Sequence, residues 1–140
     1  MFRSIVVGTD GSATATEAVH RAHELAGALS ADLHVVSAYR PPAAVLAASA
    51  EPALTPAAVV QWTAAARDDV RRLLDEVAAA LAGPVPVTTH AVAETVHADL
   101  IVVGNRGMQG ARRVLGSIPN HVSHHASCDV LVVDTVHVMA

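Results

Sequence analysis

Residues 4–12 read Ser4-Ile5-Val6-Val7-Gly8-Thr9-Asp10-Gly11-Ser12. The apolar, β-branched run without polar alternation is what a strand covered on both faces requires. The Gly11-Ser12 turn ends it, and Ser12 or Thr14 can cap a following helix, Thr14 with Glu17 as a capping box. Ala15, Ala18, Val19, Ala22, Leu25, Ala26 and Leu29 then recur at helical spacing. A buried strand handing over to an amphipathic helix is the repeating half-unit of a parallel α/β sheet.

The same alternation continues. Asp32 to Ala38 reads as a second strand, and residues 40–56, rich in Pro, Ala and Ser, as a long surface loop. Thr55-Pro56 starts a long helix running to about Leu81, with Val59, Trp62, Ala66, Val70, Leu73, Leu74, Val77 and Leu81 on one face. Trp62 is expected in the core or at an interface. Gly83-Pro84 stops the helix. Val85 to Val92 is a third strand, placed at a sheet edge by Pro86. Leu100 to Val103 is a fourth strand, Gly104 to Gly116 a glycine-rich loop, and Ser117 opens a short helix through Ala126. Val130 to Val133, extending toward Val138, is a fifth. Neither an internal repeat nor a second domain is visible, so residues 1–140 read as a single domain.

Composition narrows the chemistry. The chain has 140 residues, 52% of them hydrophobic and 16% charged, with no lysine. That excludes Schiff-base catalysis, a lysine general base and a Walker-type phosphate lysine. A net charge of −4 and an aromatic fraction of 2% argue against a nucleic-acid partner, which needs a basic surface or exposed rings. Cys128 is the sole cysteine, so there is no internal disulfide framework. Asp10 interrupts the N-terminal apolar run too early for a signal segment or a membrane span. A cytoplasmic protein with no membrane partner is expected. The 29 alanines and 23 valines require a core of small and β-branched side chains.

Chemistry concentrates at the ends of the first and fourth strands. Gly104-Asn105-Arg106-Gly107, eight residues, then Gly116-Ser117 combines glycines that permit close backbone approach with a helix N-terminus that favours an anion. Arg106, Arg112 and Arg113 in the same loop can offset phosphate charge. Thr9 and Asp10 end the first strand, and ligands of open α/β sheets collect outside such strand ends. If those two strands are neighbours, Asp10 and Gly104 face one crevice, where Asp10 can bond a base or sugar, hold Mg²⁺, or simply cap the next helix.

Ile5 to Ser12, Ala98-Asp99-Leu100-Ile101-Val102-Val103-Gly104, the glycine loop through Gly116-Ser117, and Cys128-Asp129-Val130-Leu131-Val132-Val133 together resemble the universal stress protein family. The resemblance covers nearly the whole chain apart from residues 41–54. It implies a Rossmann-like sheet of order 3-2-1-4-5 with helices on both faces, usually dimeric, and ATP bound as a regulatory ligand. Carried over, Asp10 contacts the adenosine part and Ala38 lines the adenine pocket. Val103, Gly104 and Gly107 flank the ribose and phosphates, while Gly116, Ser117 and Ile118 bind the phosphates. The family's ATP-binding members place nine residues between the two glycine clusters, where this chain has eight. Cyclic AMP is an alternative occupant. Alternative functions are a slow Mg²⁺-dependent ATP hydrolase or nucleotidyl transferase, and a nucleotide-independent dimeric adaptor.

Two further expectations concern architecture. The fifth strand is an edge in this order, and its long apolar run, Val130 to Val138, favours a homodimer that closes it. The crossover from third to fourth strand is abnormally short, with only residues 93–98 where the family carries a helix; parallel crossovers usually need about a dozen residues. A chain so short between those strands leaves one apolar sheet face uncovered. The shortage raises the expectation of a further helical segment near Ala93-Glu94 in the natural chain, the alternatives being a true deletion or an element exchanged between subunits. The histidines at 20 and 23 and at 121, 124 and 125 have helical spacing, but no nearby cysteine or carboxylate pair completes a metal site.

Overall fold

The computed structural model describes residues 1–37, 56–90, 97–105 and 117–135. Five parallel strands form one sheet: β1 (Ser4–Gly8), β2 (Asp32–Val36), β3 (Val87–His90), β4 (Leu100–Gly104) and β5 (Asp129–Val133). The order is β3-β2-β1-β4-β5. Among the described residues three helices accompany them: α1 (Ala13–Leu29), α2 (Pro56–Ala80) and α3 (Ser117–His125). The register places Ile5 opposite Leu33 on one side and opposite Leu100 on the other.

One sheet face carries the core. Ile5, Val7, Leu33, Val35 and Val102 have no exposed surface, and Leu100 is nearly as deep. They pack with Ala18, Val19, Ala22 and Ala26 of α1 and with Leu74 of α2 and Leu81 just beyond it. Alanines on α1 let its backbone approach the branched strand side chains closely, which is how a core with few large residues reaches interior packing density. Replacing Ile5 by Ala would cost ~2–5 kcal/mol.

On the opposite face Val6, His34, Val36, Ile101 and Val103 are only half-buried. Helix α3 packs against β4 and β5, and a right-handed β4–α3–β5 crossover puts it on that side. The link from β3 to β4 comprises residues 91–99, short for a connection that must pass β2 and β1. The incomplete cover of Val6, Val36 and Ile101 agrees with the expectation drawn from that shortage.

Local details refine the sequence reading. Ser12 is the cap of α1: its hydroxyl accepts from the Ala15 amide at 3.2 Å. Helix α1 begins at Ala13, so Thr14 lies inside it, and Glu17 pairs with Arg21 at 3.0 Å. The C-terminus of α1 closes on Ser30 in the left-handed region, φ 53°. Pro86 precedes β3, where its carbonyl accepts from the Leu33 amide at 2.9 Å, and β3 is an edge strand as a proline there suggests. Val70, Leu74 and Val77 of α2 reach the core, whereas Trp62 is 52% exposed and Val60 68%, so Trp62 is outside the core. The third strand is shorter than expected at its start, and residues 91 and 92 lie outside the described part, as do residues 38–55, which hold all of the loop expected at 40–56 except Pro56, the first residue of α2. Strand β5 ends at Val133, with Val136 to Val138 likewise outside it. Among the described residues, no helix is long and apolar enough to cross a membrane.

Candidate functional site

Strands β1 and β4 are neighbours, with Val7 opposite Val102. Continuing that register brings Thr9 level with Gly104, so the residues after both strands emerge side by side at the C-terminal ends of the strands. The order reverses here, β2 lying on one side of β1 and β4 on the other, which is the switch point where open α/β sheets bind ligands.

The β1 exit is a tightly tied turn. Thr9 is buried; its amide donates to the Val36 carbonyl at 2.9 Å, and its hydroxyl accepts from the Gly11 amide at 3.2 Å. Asp10 is exposed, and its Oδ1 accepts from the Ser12 amide at 2.9 Å. Gly11 has φ +79°, the left-handed region that disfavours side chains, and a Cβ there would lie 3.1 Å from Leu73 Cδ1 of α2. This glycine therefore sets the turn that presents Asp10, and it also lets α2 approach. Asp10 does take part in the local turn into α1, but Ser12 is the helix cap.

The β4 exit is braced from β5. The Asn105 amide donates to the Val133 carbonyl at 2.9 Å. Asn105 Oδ1 accepts from both the amide and the hydroxyl of Thr135, at 2.9 and 3.0 Å, and its Nδ2 donates to Asp134 Oδ1 at 2.9 Å. Thr135 is buried beneath this knot. A Cβ on Gly104 would sit 3.2 Å from Thr135 Cγ2 and 3.8 Å from Ala18 Cβ. A side chain at Gly104 would therefore press on Thr135, a reason for glycine beyond ligand approach. Sequence reading passed over Asn105 and Thr135. The available signal was a short polar pair, Asp134-Thr135, ending an apolar strand beside Gly104-Asn105.

Among the expected site residues, Thr9, Asp10, Val103 and Gly104 come together at these two exits. Val103 is half-buried in β4; Ser117 is the first residue of α3, and Ile118 is 70% exposed. Ala38, Arg106, Gly107 and Gly116 lie outside the described residues.

Comparisons with known proteins agree with this architecture. The chain is 35% identical over 144 aligned positions to universal stress protein Rv1636 of Mycobacterium tuberculosis, covering 96% of this chain and 97% of that relative. The alignment has more positions than this chain has residues, so the relative carries residues that this chain lacks. The crystal structure of a universal stress protein in complex with cAMP superposes with a TM-score of 0.64 at 28% identity, over 96% of this chain and 98% of that one. A universal stress protein family structure from Burkholderia pseudomallei gives 0.64 at 27%, over 93% and 94% of the two chains. The universal stress protein family model matches residues 1–134, and with this fold and these relatives the chain belongs to the universal stress protein family.

Proposed function

We propose that the protein binds an adenine nucleotide as a regulatory ligand at the joined exits of β1 and β4, with ATP the expected occupant and cyclic AMP its competitor. The observation that carries this reading is the convergence of the Thr9-Asp10-Gly11-Ser12 turn and the Gly104-Asn105 exit at the switch point. A family relative of the same fold has been crystallised with cAMP, which supports an adenine nucleotide as the ligand.

The residues fit such a ligand. Asp10 offers an exposed carboxylate for sugar or base hydroxyl and amino donors. Val103 and Ala38 supply apolar surface. Gly104, Gly107 and Gly116 allow the phosphates to reach backbone amides, and Ser117 and Ile118 stand where the amides at the start of α3 are unpaired within the helix. Without lysine, phosphate charge falls to those amides, to the Ser117 hydroxyl and to Arg106. Mg²⁺, where it accompanies the nucleotide, would be held by phosphate oxygens with Asp10 as the nearest carboxylate of the set. The ligand is bound and sensed by a protein in the cytoplasm, and a homodimer through β5 carries the response.

Calorimetric titration of dialysed protein with ATP, ADP, AMP and cyclic AMP tests this. Saturable heat with at least one of them is the expected result. The absence of heat with all four would overturn the reading.

A further inference from the structure

The half-covered sheet face holds a second polar feature. His34 of β2 and His90 of β3 project from this face on adjacent strands, His90 pairing in register with Val36. His34 Nδ1 and His90 Nε2 are 3.1 Å apart, with ring centroids separated by 5.3 Å and planes inclined by 35°. Both rings are half-buried, so they are held by the strands yet open on one side to water.

We propose that His34 and His90 form a binding site for a divalent first-row transition ion of the Zn²⁺, Ni²⁺ or Cu²⁺ class, with water completing its coordination. Imidazole nitrogens are suited to these ions. Two nitrogens bound to one ion at ~2.0–2.1 Å lie ~2.9–3.4 Å apart for bond angles from a right angle to tetrahedral. The 3.1 Å separation falls inside that interval. In the metal-free pair one ring donates its N–H to the other. Binding moves that proton to the donor ring's second nitrogen and turns both rings so that their lone pairs meet beside the line that joined them.

Two neighbours bear on the site. Asp32 lies on the same face as His34, two residues earlier on β2, and its exposed carboxylate adds an attractive potential for a cation. The strand pairing fixes the backbones beneath both rings, so little backbone order has to be gained on binding. Among the described residues no group of three metal-ligating side chains is present, and the two imidazoles are the donors that these residues supply.

The competing histidine pair is His121 and His125 on α3, whose exposed rings are 4.3 Å apart. Zn²⁺ titration by calorimetry on chelator-treated full-length protein separates the two. The expected result is saturable binding that weakens about tenfold or more in His34→Gln and in His90→Gln, and is unchanged in the His121→Gln/His125→Gln double variant. Substoichiometric Cu²⁺ should also broaden the ring resonances of His34 and His90 in the unmodified protein before those of His121 and His125, a readout that stands even if a strand variant fails to fold. No saturable binding below about 1 mM, or binding and broadening that follow His121 and His125, would overturn the proposal.

Discussion

Thr135, just past the end of β5, donates both its amide and its hydroxyl to Asn105 Oδ1, at 2.9 and 3.0 Å, and so ties the exit of β4 to the exit of β5. Because Thr135 is buried, water cannot readily replace the lost acceptor. Asn105→Ala should therefore cost ~1–3 kcal/mol of stability, measured by urea denaturation. It should also weaken nucleotide binding, since Asn105 fixes where the glycine loop departs. Asn105→Asp keeps the acceptor oxygen but faces Asp134 with a like charge, so it should recover only part of both losses.

Asp10 differs from Asn105 in being exposed, with a local bond to the Ser12 amide. Asp10→Ala should cost no more than about 1 kcal/mol of stability while reducing nucleotide affinity by about tenfold, the equivalent of ~1.4 kcal/mol. Calorimetry alongside thermal unfolding separates the two effects. Unchanged affinity in a folded Asp10→Ala protein would remove Asp10 from the site.

Gly11→Ala combines two penalties. The alanine would be held at φ +79°, and its Cβ would press on Leu73 at 3.1 Å. The left-handed conformation alone costs ~1–2 kcal/mol. A melting temperature equal to that of the unmodified protein would show that the turn relaxes freely.

Acid should destabilise the protein in two windows. Burial, then the neighbouring His90, holds His34 below its ordinary value, while Asp32 pulls the other way. The unfolded chain therefore takes up this proton first; stability from the neutral ring is present above ~6.5 and is lost as pH falls through the lower folded value. Amides of Arg3 and Ser4, at 2.8 and 3.1 Å, hold the Asp99 carboxylate below the usual range, the Arg3 bond being the larger cause. Its contribution is present above ~3.9 and disappears as pH falls below that. Denaturation midpoints measured from pH 8 to 3 should show a slope below about pH 6.5 that flattens in chelator-treated His34→Gln. The slope below pH 4 should diminish in Asp99→Asn.

Strand β5 is an edge, and Leu131 on it is 39% exposed. If two copies join along this edge, Leu131→Arg places like charges close to one another across the two-fold axis and should convert dimer to monomer in sedimentation equilibrium. A variant that retains the unmodified protein's dimer mass would move the interface elsewhere.

Much of this was legible in the chain because strand and helix periods are local. The apolar runs at Ile5, Leu33, Leu100 and Val130 could be read without contacts, and Pro86 announced an edge because proline lacks a ladder donor. Trp62 lies outside the core, since periodicity shows which side chains share a helix face but not how far along its length that face meets the core. The capping box at Thr14 failed for a related reason: two hydroxyl residues stood in range, and the strained turn at Gly11 brought Ser12 into the capping position.

The sequence by itself determined the alternation of strands and helices, the glycines at the two strand exits, the absence of lysine and the shortage between Val92 and Asp99. These are properties of neighbouring residues or of composition. Only the tertiary structure decided that Asn105 meets Thr135, that Gly104 is squeezed between Thr135 and Ala18, and that His34 meets His90. Each of these pairs is brought together by strand order and register, which are set by packing across the whole sheet, and spacing along the chain carries no record of them.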